Sequence, residues 1–271
     1  MPMILVRSVR DGYAFRAYHA PAKGARKGGL VLVQEIFGVT DHIRQLCDEY
    51  AADGYEVLAP SLYDRQERGF EADYTPEGIA EAMKLRDGHD MADSVGDVQS
   101  CIDRFRDASS DPVYVTGYCY GGSVAWVAAC RCKYLAAASG YYGRAIVDYL
   151  DETPRCPVML HFGKTDASIP PDWVDRIEAA HPEVQVFRYD AGHGFNSDRR
   201  KDYDMTSAEL ARQRGYPEIF AVSLADQLFL SAGFHESTID VYPEKILRYA
   251  KISRSELSIG RKFCFARTLT P

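Results

Sequence analysis

The chain has 271 residues, of which 46% are hydrophobic and 26% are charged, and its formal net charge is −7 at pH 7. This composition excludes a disordered or low-complexity chain, and the length allows a large core without disulfides or metals. The acidic charge gives no reason to expect a nucleic-acid partner, and the lack of any run of about 18 apolar residues argues against a membrane.

The pattern of cysteines and the N-terminal residues indicate the compartment in which the protein is expected. The first six residues are followed by a charge, which is too early for the apolar region of a secretory signal. The seven cysteines are scattered and include no CxxC pair, which favours free thiols over a disulfide framework or a zinc site. No HExxH motif or glycine-rich phosphate loop is present. We therefore expect a cytoplasmic protein that uses no metal and no other cofactor.

Short β-branched runs alternate with helical patterns along the chain. The predicted strands are 13–18, 29–34, 55–59, 113–116, 136–141, 158–162 and 184–189. The predicted helices are one that follows Thr40 and has Gly54 at its C-terminal turn, 76–86, a segment around 95–105, 121–131, 172–180 and 206–220. Repeated strand–helix–strand order predicts an α/β fold with a mostly parallel sheet and helices on both faces.

The last forty residues differ in character, because basic residues outnumber acidic ones there. Lys245, Arg248, Lys251 and Arg254 recur at a spacing that would place them on one face of a helix. A membrane-surface or partner-binding role is one interpretation, and a solvated helix face or loosely ordered extension is favoured over it. We define residues 231–271 as a basic C-terminal extension and assign it no function.

A possible nucleophile lies in the stretch GYCYG, where Cys119 stands between Gly117 and Gly121. A predicted strand enters this stretch and a predicted helix leaves it, which is the nucleophile-elbow pattern with cysteine in place of serine. Side chains at the two glycine positions would collide in so tight a turn. The sulfur would lie at a helix N-terminus, which favours the thiolate. The alternative is a small buried core cysteine, and the placement favours the nucleophile.

A thiol nucleophile needs a base, and the base needs an orienting acid. Asp166 and His193 each follow a predicted strand, in the order nucleophile, acid, histidine that this fold uses. Glycines flank His193 on both sides, which suits an active-site loop better than a core. A surface histidine is the alternative, whereas His161 lies inside an apolar strand and is interpreted as buried structure.

With these residues in place, the chain resembles the dienelactone hydrolase family, a branch of the α/β-hydrolases. The resemblance covers about residues 6–220, and it implies an α/β-hydrolase domain, placed at 1–230, that cleaves an ester or lactone bond of a small molecule. The matching motifs are QEIFGV at 34–39, GYCYGG at 117–122, GYYG at 140–143, the Asp166 loop and GHGF at 192–195.

The same resemblance implies the catalytic roles. Cys119 matches the nucleophile, Asp166 the acid and His193 the base. Glu35 matches a further carboxylate that holds the resting thiol and helps to deprotonate it once substrate displaces the carboxylate. The alternative for Glu35 is a solvated carboxylate at a strand end.

Substrate-binding groups follow from the resemblance in the same way. The backbone amides of Ile36 and Tyr120 match an oxyanion hole. Tyr142 matches a tyrosine that lines the substrate pocket, and it could equally be a core residue.

Two positions depart from the dienelactone-cleaving members, which bind the substrate carboxylate through arginines. Ser197 stands where one of those arginines lies, Gly194 replaces a serine, and arginines come only at Arg199 and Arg200. A bidentate guanidinium is not readily replaced, so dienelactone is not the expected substrate. The alternatives are a carboxylesterase or thioesterase on the same site, or a non-catalytic thiol-sensing protein. Either a monomer or a dimer is compatible with the sequence.

Overall fold

The computed structural model describes residues 2–215. In this part of the chain, strands and helices alternate as the sequence predicts. The strands are β1 (Met3–Arg7), β2 (Ala14–Ala20), β3 (Gly28–Val33), β4 (Tyr55–Pro60), β5 (Val113–Tyr118), β6 (Ala137–Tyr141), β7 (Val158–Gly163) and β8 (Gln185–Tyr189). The helices are α1 (Asp41–Ala52), α2 (Pro76–Asp87), α3 (Met91–Ala108), α4 (Tyr120–Arg131), α5 (Pro171–Ala180) and α6 (Met205–Arg214), with a 3-10 helix at Arg144–Tyr149.

The strands form one sheet in the order β1-β2-β4-β3-β5-β6-β7-β8. The β1–β2 and β2–β4 pairs are antiparallel, and every pair from β4 to β8 is parallel. All residues of β3, β5, β6 and β7 are buried. Burial along whole strands requires that helices cover both faces of the sheet, which confirms the predicted mostly parallel α/β architecture.

Helix α1 shows how the apolar pattern determines the packing of a helix. It begins after Thr40, as the sequence predicts, and its buried face includes Ile43, Leu46 and Tyr50. The chain turns sharply after the helix at Gly54, whose φ of +100° favours glycine. Side chains at helical spacing therefore form one stripe against the sheet, and α1 packs mainly on β4.

Three features differ from the predicted elements. The edge strand β1 was not predicted, because MILVR has no alternation of polar and apolar residues. Strand β4 includes Pro60 instead of ending before it, and Pro60 pairs with Ala17 at the end of the strand, a position that proline tolerates. The 3-10 helix at Arg144–Tyr149 was also not predicted.

Some predictions fall outside the described residues. The predicted helix 206–220 corresponds to α6 up to Arg214, and its remaining part lies outside them. The basic extension at 231–271 lies outside them as well. In the described part of the chain, no helix has the length and apolar character needed to cross a membrane. No group of three or more histidine, cysteine or acidic side chains there is arranged to hold a metal ion.

The sheet brings the predicted site residues to one edge. Glu35 follows β3, Cys119 follows β5, Asp166 follows β7 and His193 follows β8. Since these strands are parallel, their carboxyl ends lie at the same edge of the sheet, where ligand sites of open α/β folds are found.

Candidate active site

Cys119 lies at a strained turn between β5 and α4. Its backbone has φ 56° and ψ −114°, a conformation that residues with a side chain rarely adopt. A Cβ atom at Gly117 would lie 1.9 Å from the Gly121 carbonyl oxygen, and one at Gly121 would lie 2.4 Å from the Val33 carbonyl oxygen. Both glycines are therefore needed for the turn, which places the partly exposed residue Cys119 at the N-terminus of α4.

The structure brings Cys119, His193 and Asp166 into one hydrogen-bonded line. His193 Nε2 lies 3.2 Å from Cys119 Sγ, and His193 Nδ1 lies 2.7 Å from Asp166 Oδ2. The side chain of Asp166 is fully buried, whereas that of His193 is 17% exposed. This is the order of contacts that a nucleophile, a base and an orienting acid require.

Ser168 also belongs to this line, although it is not among the site residues predicted from sequence. Its hydroxyl donates to Asp166 Oδ1 at 2.6 Å and lies 3.0 Å from His193 Nδ1, and its backbone amide also donates to Asp166 Oδ1. An aspartate followed two residues later by serine is typical of a turn in which the aspartate side chain accepts from the backbone. That signal in residues 166–168 could have identified Ser168.

These contacts determine the protonation states of His193 and Asp166. Burial alone would lower the pKa of His193, but the neighbouring Cys119 sulfur and the Asp166 carboxylate outweigh burial and raise the pKa of His193 to about 10. Burial would raise the pKa of Asp166, but its hydrogen bond with His193 and its contacts with Ser168 lower that pKa overall. A charged imidazolium between the sulfur and an ionised aspartate is therefore favoured at neutral pH.

Ile36 and Tyr120 follow the ends of two paired strands, β3 and β5. Val33 pairs with Gly117 at the carboxyl ends of the two strands, and Ile36 and Tyr120 each lie three residues further on. Tyr120 is the first residue of α4, so its amide has no acceptor inside the helix. The two amides predicted for the oxyanion hole thus follow the ends of two neighbouring strands, and one of them belongs to the elbow itself.

Glu35 is fully buried and contacts residues that were not predicted. Its Oε2 accepts a 2.7 Å hydrogen bond from the Tyr74 hydroxyl, and its Oε1 lies 3.7 Å from Arg200 Nη1. Within residues 2–215, no hydrogen bond joins Glu35 to Cys119, whose sulfur contacts His193 instead. The conformation therefore differs from the expected one, in which this carboxylate holds the resting thiol.

Tyr142 lies under the histidine. It is fully buried, and its ring centroid is 5.1 Å from that of His193 and 5.5 Å from that of Phe195. Its φ of 38° places the backbone in the left-handed region. The structure thus brings Tyr142 against the base through its ring, and a contact with substrate remains a prediction. His161 is fully buried in β7, as expected, where Nδ1 lies 2.8 Å from the Tyr189 hydroxyl.

One of the two departures in the histidine loop, Gly194, has a structural explanation. A Cβ at Gly194 would lie 2.5 Å from Cδ of Arg200, so the lack of a side chain at Gly194 leaves the space that Arg200 occupies. Arg200 also lies over the Phe37 ring, 5.8 Å from its centroid. Ser197 is fully buried. The glycine after the histidine is therefore linked to the placement of Arg200 beside Glu35.

We expect Gly194→Ala to reduce both stability and catalysis. Alanine at a φ of +77° costs about 1–2 kcal/mol in backbone strain, and its Cβ would also displace Arg200 from Glu35. Gly12 has a φ of +75° and nothing within 4 Å of an added Cβ, so Gly12→Ala is the matched control. Urea denaturation should show the larger loss for Gly194→Ala, and only that variant should lose ester hydrolysis. Equal losses with unchanged kinetics in both variants would contradict this explanation.

The sheet order, the strained elbow and the line of Cys119, His193 and Asp166 define an α/β-hydrolase. The dienelactone hydrolase family model matches residues 15–220, which is most of the chain. The chain belongs to this family. Membership confirms the predicted family, the fold class and the prediction of a hydrolase of ester or lactone bonds.

Individual relatives agree with this assignment. The chain is 33% identical to the carboxymethylenebutenolidase of Pseudomonas putida over 213 residues, which cover 75% of this chain and 90% of that one. It is 31% identical to a candidate dienelactone hydrolase from Klebsiella pneumoniae, whose crystal structure superposes with a TM-score of 0.68 over 79% of this chain and 97% of that one. An esterase from Pyrococcus furiosus, 14% identical, shares the fold with a TM-score of 0.58 over 79% of this chain and 90% of the esterase.

Proposed function

We propose that this protein hydrolyses a carboxylic ester or lactone of a small molecule through an acyl-enzyme on Cys119. The observation that supports the proposal most strongly is the contact of Cys119 Sγ with His193 Nε2 at 3.2 Å, continued to Asp166 at 2.7 Å. These contacts are made at a turn whose strained backbone presents the sulfur beyond the end of the sheet.

In the acylation step, the Cys119 thiolate attacks the carbonyl carbon of the substrate. A carbon–sulfur bond forms, and the carbonyl oxygen becomes an oxyanion that accepts hydrogen bonds from the Ile36 and Tyr120 amides. When the oxyanion collapses, the carbon–oxygen bond to the leaving alcohol breaks. The His193 imidazolium gives its Nε2 proton to that oxygen, and the acyl group stays on sulfur as a thioester. The neutral alcohol departs when the substrate is an ester, and it stays attached to the acyl chain as a hydroxyl group when the substrate is a lactone.

In the deacylation step, His193 is neutral and accepts a proton from water. The resulting hydroxide attacks the thioester carbon, and the same two amides bind the second oxyanion. The carbon–sulfur bond then breaks, which releases the carboxylic acid and returns a thiolate beside the imidazolium. Asp166 keeps Nδ1 of the ring occupied throughout, so Nε2 always faces the reacting atoms.

The name carboxymethylenebutenolidase of the Pseudomonas relative supports a lactone as one substrate class. Ser197 in place of an arginine weakens the case for dienelactone itself. A carboxylic ester or a thioester would react at the same site by the same steps. The proposal therefore specifies the type of bond that is cleaved and not an individual substrate. A panel of substrates distinguishes lactone, carboxylic ester and thioester hydrolysis.

Hydrolysis of four compounds tests the proposal: p-nitrophenyl acetate, dihydrocoumarin, an acetyl thioester and a dienelactone. We expect the wild-type protein to cleave the ester or the simple lactone, and His193→Gln to slow that reaction by about 10²–10⁴-fold because the base is lost. His19→Gln removes a histidine from β2, outside the site, and should retain activity. No turnover of any compound by the wild type, or equal rates in both variants, would contradict the proposal.

A further inference from the structure

Tyr74 contacts the site without any role in the steps above. Its hydroxyl donates to Glu35 Oε2 at 2.7 Å, which is the one hydrogen bond to that buried carboxylate within residues 2–215. Glu35 Oε1 has no hydrogen-bond partner there and faces Arg200 at 3.7 Å. The orientation of this fully buried carboxylate thus depends largely on one phenol.

The fold fixes Tyr74 relative to the end of β3. Its ring packs on Phe37 with centroids 4.4 Å apart. The segment before it pairs with the backbone that follows β3: Ala72 donates to the Phe37 carbonyl at 3.0 Å, and Glu71 forms a bridge with Gly38. The Tyr74 hydroxyl is therefore held in place by contacts that do not involve Glu35.

The protonation of Tyr74 suits a donor. Burial and then the negative charge of Glu35 raise the pKa of Tyr74, so the phenol keeps its proton and donates to the carboxylate. A buried acceptor that loses its hydrogen-bond donor destabilises the folded state, and it therefore accepts a hydrogen bond from another donor if one is near. The Cys119 thiol is such a donor, because Glu35 and Cys119 lie at adjoining strand ends: β3 pairs with β5, and a Cβ at Gly121 would lie 2.5 Å from the carbonyl oxygen of Gln34.

We propose that Tyr74 is a positioning residue that keeps Glu35 away from Cys119, so that the resting sulfur pairs with His193 and is ready to react. The inference rests on the proposed role of Cys119 as the nucleophile. Without the Tyr74 hydroxyl, Glu35 would accept a hydrogen bond from the protonated Cys119 sulfur. Glu35 would then compete with His193 for the proton of that thiol. The other ionisable groups that interact with the sulfur, Tyr63 and Tyr142, are neutral phenols at the same pH.

The rate at which iodoacetamide alkylates Cys119 tests this inference. The modified Cys119 peptide is quantified by mass spectrometry, because other thiols are present, and the pH is varied from about 6 to 9. Tyr74→Phe keeps the ring that packs on Phe37 and loses only the hydroxyl. We expect alkylation at neutral pH to slow by about tenfold, the factor that corresponds to one hydrogen bond, and the pH profile to move to higher pH. Tyr134→Phe removes the hydroxyl of an exposed tyrosine and should behave as wild type.

A second background shows whether Tyr74 acts through Glu35. In Glu35→Ala the carboxylate is absent, so adding Tyr74→Phe should leave the alkylation rate unchanged. Slowing by Tyr74→Phe only when Glu35 is present supports the inference. An unchanged or faster rate in Tyr74→Phe, or equal slowing in both backgrounds, would overturn it.

The assay also separates this inference from the proposed function, since alkylation needs no ester substrate. A Tyr74 effect without ester or lactone turnover would leave the positioning role intact and refute the hydrolytic function. Turnover without a Tyr74 effect would refute only the positioning role.

Discussion

Replacing Cys119 by alanine is expected to lower kcat/KM for an activated ester by about 10⁴-fold or more. The variant keeps the elbow and the two oxyanion-hole amides, and in known triad enzymes the residual rate of such variants comes from those groups and from substrate binding. Removal of the sulfur eliminates the covalent path. Steady-state hydrolysis of p-nitrophenyl acetate measures the loss, and circular dichroism checks that the fold is retained.

Cys156 provides the matched control for that experiment. It is also partly exposed, but burial raises the pKa of its thiol to about 12, so it is a poor nucleophile at neutral pH. Cys156→Ala should therefore hydrolyse the ester as the wild type does. Full turnover by Cys119→Ala, or equal losses in the two variants, would show that the sulfur at the elbow is not the nucleophile.

Asp166→Asn is expected to lower kcat by about 10⁴-fold, the effect seen when a triad aspartate is replaced by its amide. The asparagine can present its NH₂ group to His193 Nδ1, which favours the wrong tautomer of the ring. It also removes the negative charge that helps to raise the pKa of His193 to about 10. Asp190→Asn, which alters an exposed aspartate paired with Lys164, serves as the control and should have little effect.

The pH dependence should change in a defined direction. In the wild type, His193 holds the proton that the leaving group needs until the pH approaches about 10, so kcat/KM should decline only there. The loss of Asp166 lowers the pKa of His193, and the declining limb should therefore move to lower pH in Asp166→Asn. If the rate of Asp166→Asn falls but kcat/KM declines at the same pH as in the wild type, Asp166 does not influence the protonation of His193.

The line of Cys119, His193 and Asp166 could be predicted from sequence because each member has a strong local signal. Cys119 lies between glycines that the turn requires, and Asp166 and His193 follow apolar strands whose order in the chain fixes their order at the edge of the sheet. Parallel strands then bring the three residues together without any further information.

The surroundings of Glu35 could not be predicted in this way. Tyr74 and Arg200 reach the carboxylate from two loops, and the conformation of those loops depends on tertiary contacts such as the Gly38–Glu71 bridge and the packing of Arg200 against Gly194. No periodicity marks such contacts. The departure at Gly194 was visible in the sequence, but the space that it provides for Arg200 becomes apparent only in three dimensions.

The most direct test of the central claim is to detect the acyl-enzyme. The wild-type protein is mixed with p-nitrophenyl acetate, quenched with acid during the first turnovers and digested, and the peptides are analysed by mass spectrometry. The account predicts an acetyl group on the peptide that contains Cys119, formed and lost at rates compatible with turnover. Hydrolysis that proceeds with the Cys119 peptide unmodified, or with the acetyl group on another residue, would contradict it.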